Sequence, residues 1–161
     1  MRISVVRLSI AAALVSGLVS LRGPVVAASA PMVLQATQTH ETNIAGLVAE
    51  VTEAKRQEGV LSIRIRFRNT SDKVIEFDLI KNRDYDQYYV VAASKKYLVL
   101  RDTEKVPIAA MVDNAGRVLV KIDKGGTYTW WAKYPAPPAD VKKFNYMMAI
   151  APPIENIPIV D

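Results

Sequence analysis

The stretch VLSIRIRFRN, from Val60 to Asn69, decides the fold. Apolar and polar side chains alternate strictly along it: Leu61, Ile63, Ile65 and Phe67 alternate with Ser62, Arg64, Arg66 and Arg68. Because successive side chains of a strand point to opposite faces of its sheet, this period of two predicts one buried face and one face in water. Such a pattern is typical of an antiparallel sheet.

Short segments of the same kind recur along the chain, and residues that favour turns separate them. Predicted strands cover residues 46–56, 60–69, 73–80, 88–93, 97–102, 117–122, 127–134, 142–150 and 155–161, with a short edge strand at 106–111. No segment has the period of an amphipathic helix, and no connection leaves room for the helix that joins parallel strands. Strands spaced in this way predict an all-β sandwich or barrel.

The N-terminal segment has the order of a secretory signal peptide. A start with two arginines precedes an uncharged run of 14 residues, Leu8–Leu21, and small residues follow. That run is shorter than the ~20 residues of a membrane-spanning helix, so a cleaved signal is favoured over an uncleaved anchor. We predict a signal peptide at 1–28, cut after Ala28, a flexible lead-in at 29–43 and a folded domain at 44–161.

The charge of the chain changes once this segment is removed. The formal net charge of +5 includes three arginines that precede the predicted cut, so +2 remains without them. A nucleic-acid partner is therefore disfavoured, because much of the basicity belongs to the signal. The chain has no cysteine, which excludes disulfides, thiolate metal sites, a cysteine nucleophile and lipidation of a cysteine at the cleavage site.

The stretch WWAKYPAPPADV, from Trp130 to Val141, combines adjacent tryptophans with a proline run. Strand geometry puts Trp130 and Trp131 on opposite faces, one in the core and one toward solvent. Prolines cannot donate ladder hydrogen bonds, so the strand should end at about Tyr134. We interpret the prolines as a stiff elbow between strands. The alternative is a docking segment for a proline-binding partner.

The segment WAKYPAPPADV, followed about twenty residues later by ENIPIVD, resembles the C-terminal signature of bacterial exported domains of unknown function with a telokin-like, immunoglobulin-type fold. VLSIRIRFRN and YLVLRD match that family more loosely, and the resemblance covers Gly46 to Asp161. Ile154 and Ile157 stand where the family has phenylalanine and valine. The resemblance implies an immunoglobulin-like antiparallel β-sandwich of about 7–9 strands and an exported, non-catalytic role. It brings no catalytic residues.

Little in the sequence points to catalysis or to a cofactor. The single histidine, His40, lies in the predicted lead-in, where an exposed histidine is expected rather than a member of a serine–histidine–carboxylate triad. No phosphate-binding glycine loop occurs. Asp84 and Asp86 are weak calcium candidates, because nearby Lys81 and Arg83 oppose a cation. A carboxylate pair of a glycan hydrolase is the enzymatic alternative.

Two surface features are candidates for ligand binding. Arg64, Arg66 and Arg68 should project from one face, about 6 to 7 Å apart, and could hold an anionic polymer. Alternatively, they form a solvated face that is neutralised by three glutamates on neighbouring strands, Glu50, Glu53 and Glu76. The second feature is an aromatic platform for sugars or partner side chains, formed by Tyr85, Tyr88, Tyr89 and Trp131. Such tyrosines can instead cover the ends of a sandwich core.

These observations together predict an exported, non-enzymatic binding or accessory module of the bacterial envelope, periplasmic or secreted. Its expected partner is an envelope protein or an anionic glycan, without nucleic acid or cofactor. Contact with a membrane is expected only through an uncleaved signal.

Overall fold

The computed structural model describes residues 39–161, so the predicted signal peptide and its cleavage site lie outside the described residues. Within that range the chain forms ten β-strands, one 3-10 turn at Tyr85–Gln87 and no α-helix. No helix in this part of the chain could cross a membrane. The strands are β1 (Thr39–Glu41), β2 (Leu47–Gln57), β3 (Val60–Asn69), β4 (Ile75–Ile80), β5 (Tyr89–Ala92), β6 (Lys95–Tyr97), β7 (Val118–Ile122), β8 (Thr127–Pro135), β9 (Lys143–Met148) and β10 (Ala151–Pro158).

The strands form three antiparallel sheets. The first has the order β1-β2-β3-β8, the second β10-β9-β5-β6, and the third pairs β4 with β7. Buried side chains from all three sheets belong to one hydrophobic cluster. The prediction of an all-β, antiparallel architecture is confirmed, and the arrangement is consistent with a β-sandwich.

Strand β3 has the alternation that its sequence predicts. Its four apolar side chains, Leu61, Ile63, Ile65 and Phe67, are fully buried, whereas its arginines face solvent on the opposite side of the first sheet. Neighbouring β2 reaches β3 through a tight turn in which Glu58 and Gly59 both adopt left-handed φ angles, 51° and 77°. Glycine adopts such an angle without strain, so Gly59 favours the turn between β2 and β3 at this position.

The two tryptophans of β8 lie on opposite faces, as predicted. Trp130 is fully buried, whereas Trp131 is 37% exposed. The Trp130 Nε1 donates a hydrogen bond to the Tyr146 hydroxyl at 3.0 Å, and the Tyr134 and Tyr146 hydroxyls lie 2.9 Å apart. We call Trp130, Tyr134 and Tyr146 the buried aromatic chain. It joins β8 of the first sheet to β9 of the second sheet.

The structure corrects several predicted boundaries. The segment 106–111, predicted as a short edge strand, forms only isolated bridges at Pro107 and Ala109, and the last strand covers Ala151–Pro158 rather than 155–161. Thr39–Glu41 pairs with β2, so the lead-in that we expected to be flexible to residue 43 is already a strand there. The β5–β6 hairpin turns at Ala93 and Ser94, because both adopt left-handed φ angles that suit a two-residue turn. Strand β6 is therefore Lys95–Tyr97 and overlaps the strand predicted at 97–102 only at Tyr97. Strand β8 continues one residue beyond Tyr134, since Pro135 lies opposite Val60 at the end of β3.

The proline elbow after β8 is held by a single guanidinium. Arg56, at the end of β2, donates to the backbone carbonyls of Pro137, Pro138, Ala139 and Val141 over distances of 2.6 to 3.2 Å. It also forms an ion pair with Asp161 at 2.6 Å. The side chain of Arg56 is largely buried, and we call this cluster the Arg56 clamp. The elbow is thus anchored within the protein, which supports its interpretation as a connector.

Candidate functional site

The outer face of the first sheet brings two of the sequence-predicted features together. In the register of β3 and β8, Arg64 lies directly opposite Trp131, and Arg66 lies opposite Thr129. Adjacent strands are about 4.8 Å apart, so these side chains are immediate neighbours. Arg64, Arg66 and Trp131 are exposed, and Arg68 is half-buried. We call Arg64, Arg66, Arg68, Trp131 and Lys133 the arginine–tryptophan face.

Two glutamates of β2 hold the arginines in place. Glu50 accepts from Arg66 and Arg68, with its closest contacts at 2.7 Å and 3.2 Å. Glu53 contacts the Nε of Arg64 at 2.9 Å. The carboxylates therefore orient the guanidiniums by charge-assisted hydrogen bonds. The third glutamate that we expected to neutralise the row, Glu76, does not reach it, because it lies on β4 of the third sheet opposite Lys121.

An irregularity in β2 explains how both glutamates reach the same face. Residues three apart in a regular strand point to opposite faces. The register between β2 and β3 shifts at Thr52, so that Glu50 lies opposite Arg66 and Glu53 lies opposite Arg64. One extra residue in a strand of this kind is typical of a β-bulge. It turns Glu53 outward, next to the arginine that would otherwise have no carboxylate.

The face keeps an excess of positive charge after this pairing. Burial tends to raise the pKa of the Glu50 carboxyl, but its hydrogen bonds and its attraction to Arg66 and Arg68 outweigh that effect and hold the pKa below 4.5. Two carboxylates, those of Glu50 and Glu53, face three arginines. Lys55 and Lys133 flank Ser62 on the neighbouring strands, and neither ammonium has an ion-pair partner among residues 39–161.

A shallow depression of about 60 Å³ lies beside Trp131. Side chains of Glu53, Ser62, Arg64 and Lys133 border it together with the indole. A depression of this size holds the edge of one ring or one anionic group, while the rest of a ligand would lie across the sheet. The arrangement combines an apolar aromatic plane with hydrogen-bond donors of fixed direction, and no step of covalent chemistry follows from it.

The structure contradicts the exposed positions expected for Tyr85 and Tyr88. Tyr85 is 3% exposed and Tyr88 1% exposed, and both rings pack against Trp130. Their hydroxyls donate to the carbonyls of Ala110 and Leu79 respectively. The 3-10 turn folds this loop onto the core, so the two tyrosines cover the end of the core. Of the predicted aromatic platform, Trp131 lies at the surface and Tyr89 is half-buried.

The carboxylates of the weak calcium candidates have protein partners. Asp84 accepts from the backbone nitrogen of Asp86 at 3.1 Å and from the Gln87 side chain at 2.6 Å, so it caps the 3-10 turn. Asp86 pairs with Arg101 at 3.3 Å. No group of three or more histidine, cysteine or acidic side chains that could hold a metal ion occurs between residues 39 and 161. The loop is therefore built by its own hydrogen bonds.

Two observations concern the enzymatic alternative. The pKa of Glu50 is lowered, and hydrogen bonds from Lys142 and Arg56 likewise lower the pKa of Asp161. A general acid in glycoside hydrolysis needs a raised pKa, so neither carboxyl suits that role. His40, expected in an exposed tail, instead lies in β1 opposite Ala49, and its Nε2 is buried without a hydrogen-bond partner in the described part of the chain.

Sequence reasoning missed Lys133, although the alternation of β8 places it on the same face as Trp131. It also could not foresee the shift at Thr52, since the sequence around that residue has no glycine or proline to mark it.

No family model matches the chain, and neither a curated protein nor a solved structure is significantly similar to it.

Proposed function

We propose that the protein is an exported, non-enzymatic binding module of the bacterial envelope, and that it recognises an anionic glycan through the arginine–tryptophan face. One observation carries this proposal: Trp131 and Arg64 lie side by side on adjacent strands of an exposed sheet, with Lys133 next along β8. A sugar ring needs an apolar plane to stack on, and its acidic substituents need fixed donors.

The pairing of the arginines with glutamates fits recognition of a charged polymer. Arg66 and Arg68 share one carboxylate, so each keeps N–H groups for an incoming carboxylate or phosphate. The glutamates restrict the arginine side chains before binding, which lowers the entropy lost in the complex. A flat sheet accommodates an extended chain of sugars, whereas a recessed site would admit only its end.

The finer description of the fold belongs to the same proposal. We propose an immunoglobulin-type sandwich related to the telokin-like exported domains, preceded by a signal peptide that is removed after Ala28. This is supported by the aromatic strand β8, the proline elbow and the closing strand β10, which follow one another as in the signature that the sequence resembles. N-terminal sequencing of the protein recovered from the periplasm or the medium tests the cleavage site.

Binding to soluble polyanions tests the function directly. We would measure affinity for alginate, a polyuronate, and for neutral dextran by calorimetry at low and moderate salt. Arg64→Gln with Lys133→Gln should weaken alginate binding at least tenfold, about 1.4 kcal/mol. Trp131→Ala should weaken it as well, with little change in the salt dependence, because stacking releases no counterions.

The matched control is Lys121→Gln with Lys124→Gln, which changes the net charge equally at β7 and the turn after it. This control should bind alginate within twofold of the unmodified protein. Equal losses in both double variants would attribute the binding to net charge alone and refute a site on the first sheet. Unchanged binding after Trp131→Ala would remove the glycan-stacking part of the proposal.

A further inference from the structure

A second concave site shares no lining residue with the depression on the arginine–tryptophan face. It is a cleft of about 310 Å³ between the loop around the 3-10 turn and the segment that follows Arg101. Its wall is apolar, formed by Val106, Pro107, Met111 and Val112, and the Tyr85 ring also lines it. This volume is at the lower end of the range of small-molecule sites.

The wall of the cleft is unusually open to solvent. Met111 is 81% exposed and Val106 46%, the former being the most exposed large apolar side chain among residues 39–161. The exposed apolar surface is backed by a fixed element, because the hydroxyl of buried Tyr85 donates to the Ala110 carbonyl at 2.8 Å. Apolar surface of this kind, next to a cavity, is typical of a site that a ligand covers.

Three cations surround the apolar wall: Arg83, Arg101 and Lys105. Arg101 bonds to Asp86 and to the backbone carbonyl of Lys105. The side chains of Arg83 and Lys105 have no ion-pair or hydrogen-bond partner in the described part of the chain. The residues that line the cleft include these three cations and no acidic side chain, so the rim attracts an anion.

The backbone presents the two unpaired cations in an uncommon conformation. Arg83 has a φ of 56° and Lys105 a φ of 65°, angles that are rare outside glycine and that recur at ligand clamps. Neighbouring turns hold both residues there. The nitrogen of Arg83 donates to the Gly116 carbonyl at 2.9 Å, and the nitrogen of Lys105 donates to the Asp102 carbonyl at 3.0 Å.

From the apolar wall and the two unpaired cations we infer that this cleft binds a small amphipathic anion: a short alkyl chain ending in a phosphate or carboxylate. The chain lies against Met111 and Val106, and the headgroup lies between Arg83 and Lys105. An uncharged amphiphile would leave the cations unused, and a compact inorganic anion would leave the apolar wall in water. The ligand therefore needs both parts.

The test is a titration of the full domain with monomeric octyl phosphate, followed through the ¹³C-labelled methyl group of Met111. Octyl phosphate should shift this signal in a saturable manner. Octyl glucoside, which has the chain without the charge, and inorganic phosphate, which has the charge without the chain, should each bind at least tenfold more weakly. A further titration uses vesicles of anionic phospholipid. Because the proposed ligand is a free molecule and not a lipid headgroup in a membrane, the vesicles should leave the Met111 signal unchanged.

Arg83→Gln with Lys105→Gln should weaken octyl phosphate binding at least tenfold and leave octyl glucoside binding unchanged. These residues are exposed, so the variant is expected to fold, and its amide spectrum verifies this. The Lys121→Gln, Lys124→Gln control should bind like the unmodified protein. The Arg64→Gln, Lys133→Gln variant should also bind octyl phosphate like the unmodified protein, which separates this site from the arginine–tryptophan face. The inference is overturned by an unmoved Met111 signal, by equal binding of octyl glucoside, by binding to vesicles alone, or by an unchanged affinity in the Arg83, Lys105 variant.

Discussion

Removing one buried hydroxyl from the aromatic chain should destabilise the protein out of proportion to the atom lost. The perturbation is Tyr146→Phe. The Tyr146 hydroxyl accepts from Trp130 Nε1 at 3.0 Å and lies 2.9 Å from the Tyr134 hydroxyl, whose own hydrogen has the Tyr88 carbonyl as acceptor at 3.4 Å. The Tyr134 and Tyr146 hydroxyls share one hydrogen bond, so the indole and the two phenols form one connected chain.

The magnitude follows from the groups left behind. Two hydrogen bonds are lost, at a net of about 1 kcal/mol each, and the Trp130 N–H is left buried without an acceptor, which costs about 1–3 kcal/mol by itself. Because some of these contributions overlap, we expect the free energy of unfolding to fall by about 2–4 kcal/mol. That is a large part of the stability of a typical domain.

Urea unfolding followed by tryptophan fluorescence measures this loss. The matched control is Tyr128→Phe, which deletes the same atom from a half-buried tyrosine of β8 whose hydroxyl has no hydrogen bond among the described residues. We expect less than about 0.5 kcal/mol there. Tyr134→Phe completes a double-mutant cycle with Tyr146→Phe, in which the double variant should cost less than the sum by about 1 kcal/mol. Additive losses, or a Tyr146→Phe variant as stable as the control, would refute the connected chain.

Three further results are expected. Burial raises the pKa of Tyr146 from 10.0 to about 12. Its contribution to stability should therefore be complete below pH 10.0 and decline as the pH rises toward 12. Urea unfolding above and below pH 10.0, together with tyrosinate absorbance, measures this decline. The lowered pKa of Glu50 gives the opposite dependence: its contribution to stability is present above pH 4.5 and is lost as the pH falls through its pKa in the folded protein. The Glu50→Gln variant should therefore lose less stability in acid than the unmodified protein, whereas Lys121→Gln should lose as much. Arg56→Lys keeps the charge but loses the planar guanidinium of the clamp, so the free energy of unfolding in urea should fall by about 2 kcal/mol. The control Arg101→Lys changes an exposed arginine and should lower it far less.

The regular parts of the fold could be predicted because local pattern determines them. The alternation in β3 specified which side chains are buried, and the same rule separated Trp130 from Trp131. Turn residues marked most strand ends, including the hairpin at Gly59. These are effects of neighbours along the chain, and sequence contains them directly.

The parts that were missed depend on distant residues. Tyr85 and Tyr88 are buried because their rings pack against Trp130, about forty positions later in the chain. Glu53 reaches Arg64 only because β2 shifts its register at Thr52. The cleft near Met111 is formed by loops in which residues other than glycine, such as Arg83, adopt left-handed φ angles. The residue types of these loops therefore did not predict their conformation.

The Arg56 clamp has a consequence for how the polypeptide acquires its structure during synthesis. Arg56 binds Asp161, 105 positions further along, and the backbone of Val160 bonds to the same region of β2. A chain that leaves the ribosome with its N-terminus first can form the β2–β3 hairpin early. It cannot form the ion pair of the clamp until Asp161 has emerged. The end of β2 should therefore reach its final packing late, after the segment that carries Asp161 has been made.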